Sequence, residues 1–382
     1  MVRSAVMSKR IIFVVNCPAF FISHRLPLAL AAKNEGYEVH VATKSGDAVN
    51  QIATAGLIYH ELPLTRSGIN PLNEVFVFIA IYKLFRLLNP ALVHLITIKP
   101  VLYGGIAARL AAVPSVVAAV SGLGFVFIAK GLKTSLIRAG VKSLYRLAFG
   151  KQNIRVIFQN PDDCMRFVKA GILNIRKTVL IRGSGVDLTN YPAKIESDGH
   201  PVVIMASRLL RDKGVREFVS AAGMIKKYNN KVRFLLVGDS DCHNPATLTI
   251  SELELIREEG NVELLGYRND IPALFASANI VVLPSYREGL PKVLVEAAAA
   301  GRAVVTTDVP GCRDAIVPEV SGLLVPVRDT KLLAEAIQKL INDVDLRQRM
   351  GKEGRRLAEQ EFAIEKIVQA HLEVYRILEE RA

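Results

Sequence analysis

The chain is expected to fold as an α/β protein built from two units with parallel sheets, on three observations. Short apolar, β-branched runs recur along all 382 residues, and stretches of helical periodicity separate them, the pattern of strands covered on both faces. The length accommodates two domains at roughly 150 residues each. A segment over 183–200, rich in Gly, Asp, Pro and Asn, separates the halves as a hinge. In the first half, strands are expected over 10–16, 38–43, 58–62, 91–95, 115–120 and 153–159. In the second half they are expected over 202–206, 232–237, 262–265, 280–283 and 303–306. The first domain then spans 1–182, the second 201–362, and a charged helical tail occupies 363–382.

The strand at 280–283 leads into Ser285, Tyr286, Arg287, Glu288, Gly289, Leu290 and Pro291, followed by a helical segment over 292–300 that carries Glu296. Glu288 to Leu290 therefore form a strand-to-helix turn at a carboxyl edge, where open α/β sheets bind ligands and a helix start attracts phosphate. Glu296 lies about two turns further along and meets a different part of such a ligand. Both glutamates also fit an ordinary helix entrance, where a carboxylate favours the dipole or faces solvent. The strand at 202–206 ends in the same way, in Ser207, Arg208, Leu209, Leu210, Arg211, Asp212, Lys213 and Gly214. An arginine fork and a lysine point charge are what a diphosphate requires.

This combination resembles the nucleotide-sugar site of the retaining glycosyltransferases of family 4. Their R-x4-K and E-x7-E elements correspond to Arg208 with Lys213 and to Glu288 with Glu296. Gly185-Val186-Asp187, Val237-Gly238-Asp239 and Leu264-Leu265-Gly266-Tyr267 stand in the expected order. The resemblance implies the GT-B fold, two Rossmann-like domains facing across a cleft, with the tail crossing back onto the first domain. It implies a UDP-sugar donor, with ribose hydroxyls on Glu296 and diphosphate on Arg208, Lys213 and the turn Gly289, Leu290 and Pro291. Gly185 and Tyr267 are further donor-site residues, and Glu288 grips the donor sugar. The catalytic task is to stabilise the departing diphosphate. The usual proposal for such enzymes is same-face attack with the donor phosphate as base, so no nucleophile is named. No cofactor or metal is implied, and Asp239-Ser240-Asp241 is read as a loop instead of a metal-binding pair.

The charge is divided unevenly. Residues 1–190 hold 23 Lys and Arg against 8 Asp and Glu, a balance of +15, while the remainder, with 26 against 28, stands at −2. No acidic residue lies between Glu74 and Asp162. A field of that sign suits nucleic acid, an anionic membrane or an anionic substrate. Nucleic acid is disfavoured because no recognised binding motif accompanies the charge. From Lys130 to Leu147, basic residues including Lys133, Arg138, Lys142 and Arg146 separate from Leu136, Ile137, Val141, Leu144 and Tyr145 at helical spacing. That is the pattern of a helix in a membrane interface, and equally of a packed helix with a basic outer face. The apolar run Val75 to Tyr82 is either a second contact or core.

The uncharged stretch 110–129 is long enough to span a bilayer but is interrupted by Pro114, Gly122 and Gly124, and divides into helix end, strand and loop. The apolar run 11–15 is too short for the core of a signal peptide, so a cytoplasmic location, peripheral on the inner membrane face, is expected. Cys17, Cys164, Cys242 and Cys312 lie far apart, without the spacing of a zinc site or a disulfide framework.

The first domain should receive the acceptor. His24 and Arg25 are expected to open the helix after the first strand, and Lys99 to reach an acceptor diphosphate from another strand end. Ser121 stands where many relatives carry a histidine, so that residue's role does not transfer, and Ser121 is assigned a sugar hydroxyl. Around His24-Arg25, Ser121-Gly122-Leu123-Gly124 and Arg287 to Pro291 the chain is similar to bacterial transferases that add N-acetylgalactosamine to an undecaprenyl-diphosphate-linked sugar. A lipid-linked saccharide is the implied acceptor. Three alternatives stand beside this one: a 2-epimerase of the same fold, a transferase with another acceptor, and a non-catalytic membrane adaptor.

Overall fold

A computed structural model describes residues 9–64, 70–122, 132–196, 199–241 and 244–382, with residues 71 and 132–138 described by backbone alone. Leu123 and Gly124, most of the uncharged stretch beyond Gly122, Lys130 and Cys242 lie outside the described residues, and the side chains of Lys133, Leu136, Ile137 and Arg138 are likewise not described.

The chain divides into two compact units, Met1–Ser184 with Ile367–Ala382, and Gly185–Lys366. In the first, seven parallel strands are β1 (Arg10–Val15), β2 (Glu38–Thr43), β3 (Ile58–Glu61), β4 (Leu92–Ile96), β5 (Ser115–Val120), β6 (Ile154–Phe158) and β7 (Thr178–Leu180). Their spatial order is β3-β2-β1-β4-β5-β6-β7. The helices of this half are α1 (Pro18–Asn34), α2 (Val49–Thr54), α3 (Pro71–Leu88), α4 (Gly105–Leu110), α5 (Leu132–Ala148) and α6 (Pro161–Lys169). The second sheet, β8 (Val202–Ala206), β9 (Arg233–Val237), β10 (Glu263–Gly266), β11 (Ile280–Leu283), β12 (Ala303–Thr307) and β13 (Gly322–Val325), runs in the order β10-β9-β8-β11-β12-β13. With it come α7 (Val215–Lys226), α8 (Ile250–Glu259), α9 (Ile271–Ser277), α10 (Lys292–Ala299), α11 (Thr330–Asn342) and α12 (Val344–Leu357), and α13 (Ile364–Glu379) closes the chain.

Every sequence-predicted strand is present, with ends within a residue or so. The two unforeseen strands, β7 and β13, lie on sheet edges and are only three and four residues long. Alternation along β1 divides the first core. Ile12 and Val14 face a layer that includes Val77, Ile81 and Phe85 of α3 and Tyr145 of α5, while Ile11, Phe13 and Val15 face α1, α2 and α13.

The tail helix α13 is fastened to the first sheet by buried polar contacts. Tyr375 hydroxyl meets His94 Nδ1 at 2.6 Å, and Asn153 Nδ2 donates to the Leu378 carbonyl at 2.8 Å. Burial depresses the basicity of His94 and His371, the latter to about 3, so both rings stay neutral. Among the described residues no helix is long and apolar enough to cross a membrane.

Residues 185–196, assigned to the hinge by sequence, join the second unit. Val186 exchanges backbone hydrogen bonds with Phe362 and Ile364, and Glu196 Oε2 accepts from Arg347 Nε at 2.9 Å, Arg347 Nη2 at 2.7 Å and Asn279 Nδ2 at 2.9 Å. The Glu196 and Arg347 side chains are 8% and 6% exposed. Removing one partner leaves an uncompensated buried charge, so Glu196→Ala is expected to lower stability by about 3–5 kcal/mol in urea unfolding. A loss below about 1 kcal/mol would show that the network is not holding this segment.

Candidate active site

The second sheet reverses its winding between β8 and β11, which are neighbours although far apart in sequence. Ligands of open α/β sheets bind outside the carboxyl ends at such a reversal. The two turns singled out in the sequence follow these two strands. They are tied together by backbone: the Tyr286 amide donates to the Asp212 carbonyl at 2.8 Å, and Ser285 Oγ lies 3.1 Å from the same carbonyl oxygen. Gly214 makes that approach possible. Its φ is +77°, and a Cβ there would stand 2.1 Å from the Pro284 carbonyl oxygen.

Lys213 and Glu288 form an ion pair through Nζ and Oε1, and Ser285 Oγ, in a fully buried residue, donates to the same Oε1 at 2.8 Å. The pair is half-buried, so its attraction is screened less than on the open surface. A further tie aims the glutamate: its backbone amide donates to the Pro310 carbonyl at 3.2 Å. Gly311, at φ +84°, lies so close that a Cβ would stand 2.5 Å from the Glu288 carbonyl oxygen. The Glu288 carboxylate and, more strongly, burial push the Cys312 thiol up to about 12, which leaves it a packing residue.

Glu296, within α10, is paired with Lys292 Nζ at 3.4 Å, and burial, then the nearness of this carboxylate, lowers the acidity of the Tyr191 hydroxyl. Arg208 is turned to the loop after β9, with Nη1 2.7 Å from Asp241 Oδ2. Gly289, Leu290 and Pro291 are buried at the entrance of α10, whose first amides have no intrahelical acceptor. Gly185 is buried at φ +78°, and Tyr267 is exposed after β10 at the far edge of the sheet. The structure thus joins Lys213 to Glu288 directly. It leaves Arg208 on Asp241 and Tyr267 on an outer strand.

In the first unit, α1 begins at Pro18, a proline suited to the first helical turn, so His24 and Arg25 lie in the second turn instead of opening the helix. His24 stacks on Phe20 at 4.1 Å, and its Nδ1 is 2.6 Å from Ser23 Oγ. Arg25 is 3% exposed, donates to the His24 carbonyl at 3.0 Å, and is lowered to about 10 by burial. Lys99 Nζ is paired with Glu74 Oε1 at 2.6 Å, so its charge is already met within this unit. Ser121 follows β5 with its Oγ buried and, among the described residues, unpartnered. Ser285, given no role of its own in the sequence, stands beside a strand end and was legible by position, whereas Asp241 was read only as a loop residue. Tyr191 carried no such signal.

The family described as Glycosyl transferases group 1 matches residues 189–357, and that described as Glycosyl transferase 4-like matches residues 10–160. The N,N'-diacetylbacillosaminyl-diphospho-undecaprenol alpha-1,3-N-acetylgalactosaminyltransferase of Campylobacter jejuni is 33% identical over 356 residues, 90% of this chain and 92% of that one. The UDP-Gal:alpha-D-GlcNAc-diphosphoundecaprenol alpha-1,3-galactosyltransferase of Escherichia coli is 26% identical over 327 residues, 81% of each chain. The crystal structure of HepE from Anabaena in complex with UDP and glucose has the same fold, with a TM-score of 0.74 and 19% identity over 96% of this chain and 99% of that one.

Gly311→Ala tests whether the turn after β12 is fitted to Glu288. Strain at positive φ and the clash together should cost about 2–4 kcal/mol, read as a lower urea midpoint. A variant as stable as the parent would mean that the Glu288 turn yields freely.

Proposed function

We propose, from the premise that the chain belongs to the glycosyl transferase family with the GT-B fold, that it is a retaining, metal-independent hexosyltransferase. Its donor is a UDP-sugar, with UDP-N-acetylgalactosamine favoured. Its acceptor is a saccharide carried on a polyprenyl diphosphate, in bacterial glycan assembly. The observation that carries the reading is the joining of Lys213 to Glu288 at the β8/β11 reversal, beside the entrance of α10. The names of the Campylobacter and Escherichia relatives support the acceptor class, and the UDP-bound Anabaena structure supports the donor nucleotide.

In this reading Glu296 accepts from the ribose hydroxyls, while Lys213, Arg208 and the amides at Gly289 and Leu290 receive the diphosphate. Glu288 holds hydroxyls of the donor sugar. The bond between the anomeric carbon and the diphosphate oxygen breaks as the acceptor hydroxyl attacks from the same face. The departing phosphate oxygen takes the hydroxyl proton, and positive charge already in place stabilises the leaving group.

A basic membrane-facing surface completes the proposal. Leu72, Val75, Phe76 and Ile79 of α3, spaced as one helical stripe, are 71%, 54%, 65% and 38% exposed. Lys83 and Arg86 are exposed further along the same helix, and Lys142 and Arg146 lie on α5 in the same layer. This supports a peripheral position on the inner, anionic leaflet, each basic residue there adding roughly 1 kcal/mol.

Three outcomes are expected. Arg208→Ala and Lys213→Ala should each cost roughly 2–4 kcal/mol of transition-state energy, a hundredfold or more in turnover, with little loss of stability. Glu296→Gln should weaken UDP binding in calorimetry while Glu288→Gln spares UDP and damages use of the intact donor, and equal effects on UDP would end this division of roles. For the surface, Phe76→Ser combined with Gln at Lys83, Arg86 and Lys142 should lower co-sedimentation with phosphatidylglycerol vesicles about a hundredfold or more. Wild-type binding should weaken with salt. Unchanged co-sedimentation would remove the membrane from the account.

A further inference from the structure

The first sheet has its own reversal, between β1 and β4. Asn16 follows β1 directly, Thr97 follows β4 and Ser121 follows β5. Val15 is opposite Ile96, and Ile96 is opposite Ala119, so Asn16 and Thr97 stand level on adjacent strands, about 5 Å apart, and Ser121 stands one residue past the position level with Thr97, the three making a short staggered row. Among the described residues, Asn16 Oδ1, Thr97 Oγ1 and Ser121 Oγ are all buried and without a hydrogen-bond partner. A buried polar atom is normally paired, and an exception asks for a physical reason. Three exceptions in one row, at the place where such sheets bind ligands, share one reason if a ligand supplies the missing partners. The backbone there is also held in an uncommon form: Thr97, a β-branched residue, has φ +74°.

The chemistry of the row selects the ligand. All three groups are neutral. The basic side chain of the same loop, Lys99, is paired with Glu74, and Arg25 lies buried a full turn and more into α1. An amide carbonyl and two hydroxyls match the hydroxyl and acetamido groups of a sugar, and none of the three brings the positive charge that a diphosphate calls for. We propose that Asn16, Thr97 and Ser121 bind the saccharide portion of the acceptor, and that its diphosphate is held elsewhere. The proposal rests on the reading of the chain as a transferase with a lipid-linked saccharide acceptor, and it adds Asn16 and Thr97 to the residues that contact it.

The test compares two acceptors of the same saccharide, one on a polyprenyl diphosphate and one on a neutral alkyl group, with Asn16→Ala and the isosteric Thr97→Val. KM for both acceptors should rise by a common factor of about ten, while UDP affinity and melting temperature stay at wild-type values, and Thr97→Ser should restore acceptor use. A rise confined to the diphosphate-bearing acceptor would assign the row to diphosphate and overturn the proposal. A loss of UDP affinity would assign it to the donor. Unchanged KM, or a fall in melting temperature alone, would mean that ordered water satisfies these atoms. Saturation-transfer NMR with methyl N-acetylhexosaminides gives a readout independent of turnover: wild type should bind one of them and both variants should lose it. Absence of binding by wild type would overturn the inference even where transfer to the lipid-linked acceptor proves the function.

Discussion

A strand in a parallel sheet is followed by a right-handed crossover before the next strand can be added. When a sheet grows to both sides of its first strand, the segments leaving two neighbouring strands depart to opposite faces, and a gap opens at their carboxyl ends. In this protein the gaps lie between β1 and β4 and between β8 and β11. Apolar side chains close the body of each sheet. The groups at the gaps are short and polar or charged: Asn16 and Thr97 in one unit, Lys213, Ser285 and Glu288 in the other. The candidate chemistry of both units follows from this one constraint of chain winding.

The charges at the second gap are held with different strengths. Lys213 and Glu288 are 18% and 13% exposed, and Ser285 donates a hydrogen bond to the Glu288 carboxylate, so the pair is oriented before any ligand arrives. Arg208 is 45% exposed where it meets Asp241, and a surface pair of that kind contributes about 0–1 kcal/mol. On the proposed reading, Arg208 therefore leaves Asp241 for a diphosphate at small cost. Lys213 instead keeps one proton donor on Glu288 or turns it to phosphate, which links the sugar-binding carboxylate to the leaving group. A helix entrance alone would attract an anion, but it would not connect the two ends of a donor in this way.

The sequence made the interior of each sheet legible because burial on both faces demands unbroken apolar, β-branched runs, and β2, β5, β8 and β11 end where those runs end. Edges carry no such demand. β7 is a half-exposed Thr-Val-Leu, and β13 opens on Gly322 with two leucines, so neither declares itself. The motif residues Lys213 and Glu288 were legible as neighbours because each follows a central strand. The partners of Lys99 and Arg208 were not: Glu74 and Asp241 arrive from other segments of the chain, and only packing brings them in. Arg25 misleads for the same reason. Its place beside His24 reads as a polar helix surface, yet α13, from the far end of the chain, closes over that side of the sheet and buries it.

Helix α3 shows where periodicity stops being informative. Val75 to Tyr82 reads as uninterrupted apolar sequence, and a helix apolar all round is normally buried all round. Here Val77, Ile81 and Phe85 enter the core while Leu72, Val75, Phe76 and Ile79 do not. The opposite layer is finished differently: Glu379 of α13 takes Lys9 and the Tyr37 hydroxyl, and Arg376 reaches Glu35, so acidic and basic groups alternate at that surface. From Val75 to Pro161 no carboxylate is available for such pairing. The two faces of one sheet thus differ, one a mixed-charge surface and the other an apolar, basic surface that, on the proposed reading, lies against an anionic membrane.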